Sequence, residues 1–259
     1  MANTKPPVVE TAVIAWGDAF RAIGAMPVVA GIAFALVLVT SLASFAIIPD
    51  PYALVGSPWL PVISIVSGVV QAILLAPLAI AVHRFVILGE TANRYPLEPA
   101  SSRYLRFVGF AILVKILWQI PSTIQGFINP AFSSAFGIVA FVLSITVIII
   151  VVRRAILFPA IAVDAPGATW SNAGLDTKGS SWRVIFIFVL TALPVSVIGF
   201  LLYWPLLAPQ EQPDTVNVLL VSGIGSVVGV AALCAFAAAA SHIYRARADV
   251  MTRPSGAAA

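Results

Sequence analysis

Six apolar runs organise the chain, at about residues 27–48, 59–82, 107–127, 132–152, 184–206 and 216–240, with short polar or proline-rich stretches between them. Each run is close to the ~20 residues that carry a helix across a ~30 Å hydrocarbon layer. The strands of a membrane barrel would be ~10 residues long and would alternate polar with apolar positions, and these runs do neither. The pattern predicts an all-α, polytopic transmembrane bundle of six helices.

Weaker periodicity marks two surface segments. Val13, Trp16, Phe20 and Ile23 recur at helical spacing, opposite Glu10, Asp18 and Arg21, which predicts an amphipathic interfacial helix ahead of the first span. The segment GATWSNAGLDTKGSSW predicts a second, short one with Trp170 and Ala173 on its inner face. The organisation is therefore an interfacial segment over 1–26, a transmembrane domain over 27–244 and a short cytoplasmic tail over 245–259.

Charge supplies the orientation. Connectors after the odd spans, such as IPDPYALVGSP and APQEQPD, carry Asp50, Glu211 and Asp214 but no lysine or arginine. Of the 14 lysines and arginines, all but Lys115 sit in the termini, after the even spans or at the edges facing them. Lysine and arginine in short loops remain on the cytoplasmic side, so both termini are expected inside. The even spans end alike, in AVHRFVILGE, VVRRAILFPAIAVD and ASHIYRARAD, each with a basic or imidazole group followed by a carboxylate: Glu90, Asp164 and Asp249. FRAIGAMP, RYLRFVGF and SWRVIFIF introduce the odd spans in a similar way. Three tandem hairpins, related about the membrane normal, would give this pattern, and so would the orientation rule alone.

Composition excludes the other broad classes. Hydrophobic residues make up 61% and charged residues 9%, against about 25% charged in an ordinary soluble domain. A net charge of +4 does not indicate nucleic acid, because the basic groups flank apolar spans and form no water-facing patch. Cys234 is the single cysteine, so no intrachain disulfide is possible. The N-terminus does not read as a secretory signal: its apolar run is too long, and Lys5 is followed by Glu10 and Asp18, although SLASFA offers small residues suited to cleavage.

Within the spans Lys115 stands out. It lies nine residues beyond Arg106, about 13 Å along a helix, where a charged side chain facing lipid costs about 2.5–3.5 kcal/mol. Lys115, Trp118, Gln119 and Ser122 share one helical face, and Ser64, Ser67, Gly68 and Gln71 form a similar stripe on the second span. Together they predict a polar seam in which Gln71 accepts from the ammonium group. Two readings stay open: glue between helices, or a ligand site.

Other candidates are fewer. Arg84, Arg103, Arg106, Arg153 and Arg154 form a rim that could attract anionic lipid headgroups, although membrane orientation accounts for the same residues. Arg153 and Arg154 are expected to reach toward the interface while the helix continues to Phe158, where Pro159 has no amide hydrogen to give. Pro77 and Pro194 fall inside spans two and five and free the carbonyls of Ile73 and Leu190. GSVVG, Gly225–Gly229, offers small residues for close helix approach. No carboxylate lies within a span, which argues against a carboxylate proton relay. His83 and His242 stand 159 residues apart, with no zinc motif and no nucleophile elbow, so neither metal, cofactor nor catalysis is expected.

The series HRFVILGE, RYLRF and RRAILFPAIAVD, leading through a Gly/Ser-rich segment into SSWRVIF, resembles the YciC-type six-span inner-membrane proteins. These are related to the membrane part of some glycerophosphoryl diester phosphodiesterases. The resemblance implies a bacterial inner-membrane location, a connection with lipids or the envelope, and Arg154, Pro159 and Asp164 as landmarks. It implies no hydrolase activity, because that belongs to a separate soluble domain. The expected function is non-enzymatic binding of membrane lipids or of a membrane partner, a second copy included; the alternative is a small carrier for an anionic or amphiphilic solute, built on Lys115, Gln119 and Gln71.

Overall fold

The computed structural model describes residues 6–47, 59–126, 133–203 and 215–252. Among these the chain forms α1 (Val8–Ala25), α2 (Pro27–Ile47), α3 (Trp59–Leu88), α4 (Ser102–Gly126), α5 (Ser133–Arg154), α6 (Leu157–Ala162), α7 (Trp170–Asp176), α8 (Ser181–Tyr203) and α9 (Thr215–Arg247). A 3-10 turn at Val250–Thr252 follows, and no strand occurs among the described residues. Asp50, Glu211, Asp214, Lys5 and Arg253 lie outside them.

Five helices, α2, α3, α5, α8 and α9, are long and apolar enough to cross a bilayer. The fourth helix has 25 residues, about 37 Å of length, but Arg103, Arg106 and Lys115 interrupt its apolar run. Two helices outlast the predicted spans. A glycine in the left-handed conformation ends α3: Gly89 has φ 72°, and its amide donates to Phe85 O at 3.0 Å, as a C-terminal cap requires. Beyond the apolar run α9 continues to Arg247 through buried Ile243 and Tyr244. At the start of α4, Ser101 caps the helix by accepting from Tyr104 N at 3.2 Å.

Helices α3, α4, α5, α8 and α9 each pack on the next and the last packs on the first, closing a ring; α2 lies against α9 and α3, and α1 against α9 and α8. Burial is densest at the arginine-bearing ends, around Ala76–Val82, Phe107, Ile156–Ala162 and Ala235–Ala240. The other halves keep large apolar side chains exposed, among them Val62, Val66, Ile138, Phe141, Leu201 and Leu219. Lipid is the environment in which such surfaces are stable.

The expected helix before the first span is α1, and it packs on the bundle through a face that the sequence reading did not mark. Ala12, Ala15, Ala19 and Ala22 are the buried face, so small residues let α1 approach the bundle closely. Val13 and Phe20 point outward, 66% and 61% exposed. Asp18, expected opposite the packed face, is buried and pairs with His242 Nε2 at 2.7 Å as well as with Arg21. Periodicity weighted by hydrophobicity missed the alanine face, because alanine contributes little to it. The α2–α9 contact likewise differs from the expected glycine motif. Ser222 and Ser226 are buried and Ser222 meets Ser41 at 3.2 Å, while Gly229, at one end of that motif, faces no neighbouring atoms.

The interior prolines acquire aromatic partners. The Tyr104 hydroxyl donates to Ile73 O at 2.8 Å, the carbonyl that Pro77 leaves without an amide partner. Tyr95 donates to the adjacent Leu74 O, and burial, then the neighbouring Tyr104, raises its phenol above the ordinary range. Near Pro194, the Trp16 indole donates to Thr191 O at 3.1 Å. A carbonyl left unpaired in such surroundings costs about 1–3 kcal/mol. Tyr104→Phe is therefore expected to lose about that much in unfolding from mild detergent. In the Pro77→Ala background, where the backbone amide donor is restored, the same change is expected to cost far less; equal losses in both backgrounds would contradict the account.

Candidate functional site

Pro159 and the two preceding arginines set the local structure at the end of α5. The helix stops at Arg154, short of the expected Phe158, and a new helix, α6, begins at Leu157 with Pro159 in its first turn. There the missing amide hydrogen would have had no intrahelical partner. Leu157, Pro159, Ala160, Ile161 and Ala162 are all buried, so α6 packs inward against α3, α4 and α9. Phe158 joins Phe107 and Phe110, with ring centroids 4.9 and 4.5 Å away.

A backbone this irregular at a membrane edge needs hydrogen-bond donors, and the expected rim arginines supply them. Arg84 donates to Ala162 O at 3.0 Å while holding Glu90 with two further N–H groups at 2.8 and 2.9 Å. Arg103 holds the Asp164 carboxylate, with Nε at 2.8 Å. Asp164 itself has φ 53°, a conformation that aspartate tolerates better than most residues. Arg106 donates to Ala168 O at 2.7 Å, Arg153 to Gly174 O at 2.9 Å and Arg154 to Trp170 O at 2.6 Å. The Arg154 guanidinium also lies 5.0 Å from the Trp170 ring centroid and occupies the space that a side chain at Gly174 would need. A sixth arginine, which sequence reasoning did not single out, completes the collar: Arg247 reaches Asp176 O and Lys178 O at 3.1 Å each.

Asp176 was also missed. Its carboxylate is buried and accepts from Val250 N at 2.9 Å and Met251 N at 3.2 Å, tying the C-terminal turn beneath α7. Thr169 caps α7 by accepting from Asn172 N.

The predicted seam forms between α3 and α4. Gln119 Nε2 donates to Ser64 Oγ at 2.6 Å, and the Lys115 side chain lies across Gly68, where a Cβ would come within 2.7 Å of Lys115 Cγ. The expected Gln71–Lys115 hydrogen bond does not form, and among the described residues no acceptor or carboxylate pairs with the ammonium group. The Ser122 side chain falls outside those described.

Beyond the seam a cleft of about 450 Å³ opens inside the helix ring. Lys115, Gln71 and Trp118 line one end, and His83, Phe107 and Phe158 the other. Most of the wall is alanine and phenylalanine, drawn from α3, α4, the α5–α6 junction, α8 and α9. His83 is buried and its Nδ1 meets Ser241 Oγ at 2.8 Å. Because Ser241 gives its own proton to Ala237 O at 2.9 Å, His83 Nδ1 is the donor in that pair. Among the described residues His, Cys, Asp and Glu do not gather in threes as a metal site would require. Scans against protein-family models, curated proteins and solved structures returned no match for the chain.

Gly167 gives the anchoring of the C-terminal turn a test. A Cβ there would stand 2.8 Å from Val250 O and 2.9 Å from Met251 Cα, both backbone atoms that have little room to move. Gly167→Ala and Asp176→Ala are both expected to release residues 250–252, seen as faster proteolysis after Arg247 in the folded, detergent-solubilised protein. Unchanged cleavage in both would show that the turn is held some other way.

Proposed function

We propose that the chain is a non-enzymatic bacterial inner-membrane protein of six spans, α4 being the sixth, with both termini cytoplasmic, and that it binds lipid in the cleft inside its helix ring. The observation that carries this reading is the cleft itself. Its volume of about 450 Å³ falls within the ~300–1,000 Å³ of ordinary ligand sites, which are mainly apolar with a few convergent polar groups. The rim is the weaker candidate, since each of its five predicted arginines already donates to the chain's own carbonyls or carboxylates. A sixth span at α4 agrees with its antiparallel place between α3 and α5 and with the inward position of Lys115. The resemblance to YciC-type proteins points to the same location and to lipid.

The carrier reading has one observation in its favour: Lys115 stands at mid-helix with no protein counter-charge among the described residues. Vesicle transport of an anionic amphiphile, lost on Lys115→Met, would favour the carrier over a static binder.

Two measurements test the proposal. Native mass spectrometry from mild detergent is expected to find retained lipid on the wild type and little on Ala72→Phe or Ala111→Phe, which fill the cleft from two different helices. Retention by both folded variants would exclude the cleft. For topology, single cysteines at Arg94 or Lys178, in a Cys234→Ala background, are expected to resist impermeant thiol reagents added to intact cells. Strong labelling from outside would reverse the orientation.

A further inference from the structure

The cleft selects more narrowly than for lipid in general. Its lining runs from Gly68 to His83 along α3, fifteen residues or about 22 Å of helix. That length, with a space of about 450 Å³, suits one extended acyl chain. The wall beside such a chain is Ala76, Ala79, Phe107, Phe158, Phe188 and Phe236, with no charged side chain between Lys115 and α6.

Polarity is confined to the ends. At one end Lys115 has crossed Gly68, whose missing side chain is what lets the aliphatic stem lie flat on α3, and its ammonium group lacks a counter-charge among the described residues. Gln119, the neighbouring amide on the same helix, is drawn away from it toward Ser64. At the other end His83 has its Nδ1 proton engaged by Ser241, and Phe158 of α6 borders the cleft. A cation inside a low-dielectric bundle is costly unless paired, so an anion arriving on the end of an apolar chain would meet both requirements together.

We infer that the cleft binds a single-chain amphiphile with one monovalent anionic head, of the long-chain carboxylate type, its head on Lys115 and its tail running toward Phe158 beneath α6. This rests on the lipid-binding reading above and specifies the ligand of that site. Neutral single-chain lipids lack the charge, and a two-chain phospholipid would place only one of its chains along this path.

The test is equilibrium binding to the delipidated full-length protein in mild detergent, with hexadecanoate, hexadecanol and dipalmitoyl phosphatidylglycerol as probes. Hexadecanoate is expected to bind at least about tenfold more tightly than either other probe, as a charge-assisted contact allows. Lys115→Met should remove that preference, bringing hexadecanoate down to about the affinity of hexadecanol, while Lys115→Arg should largely keep it. If hexadecanol matches hexadecanoate and Lys115→Met changes nothing, yet Ala72→Phe and Ala111→Phe abolish binding, the anionic assignment falls and the lipid cleft stands. If no probe binds, or the filling variants bind as the wild type does, the lipid-binding reading falls as well. Tighter binding of the two-chain probe would overturn the single-chain assignment.

Discussion

Six arginines from α3, α4, α5 and α9 converge on residues 162–178, five of them donating to backbone carbonyls and Arg103 to the Asp164 carboxylate. The constraint behind this arrangement is that a backbone leaving regular helix still requires partners for its carbonyl groups, and apolar surroundings supply none. Guanidinium suits the task because it is always charged, carries five donors and accepts nothing, so one side chain can serve a carbonyl and a carboxylate together. Arg84 does so with Ala162 and Glu90. With its carbonyls satisfied, the α5–α8 connection can turn its apolar residues inward, and α6 becomes a short plug at the end of the helix ring.

The cleft follows from that plug and from the choice of small residues. Alanines on α3 and α9 bring helices close at the arginine-bearing end, where burial is densest, and phenylalanines from α4, α6, α8 and α9 wall the space that remains. The two interior prolines are tolerated on the same principle as the collar. Pro77 leaves the Ile73 carbonyl in need of a donor, which Tyr104 supplies, and Tyr95 and Trp16 donate to the carbonyls of Leu74 and Thr191 beside the two freed positions. Helix breaks and aromatic donors are therefore parts of one design, in which the polar groups of the backbone are met by side chains wherever a helix fails to meet them itself.

Much of this was legible in the sequence because lipid makes such simple demands. Long apolar runs gave the helical class, and the faces of Lys115, Gln119 and Ser64 followed from the 3.6-residue period. Loss of the Ile73 amide partner was predictable from Pro77 alone, though nothing local identified Tyr104, 31 positions away, as the replacement donor. The rim arginines were visible as charges, yet their partners were not: five of the six donate to plain backbone carbonyls, which every residue carries and no pattern marks. Asp18 was misplaced because its helix packs through alanines, whose small size matters more than their modest hydrophobicity. The cleft is a property of five helices closing a ring, and pairwise periodicity does not reveal a space bounded by five partners.

The seating of α6 by the arginine collar can be measured directly by amide hydrogen exchange over residues 157–168 of the wild-type protein in mild detergent. The amides of Ala160, Val163 and Ala165, bonded to Ile156, Pro159 and Ala160 carbonyls, should exchange as slowly as those in the buried part of α3. Exchange at the rate of an unstructured peptide, with α3 still protected, would contradict the collar and the inward seating of α6 together.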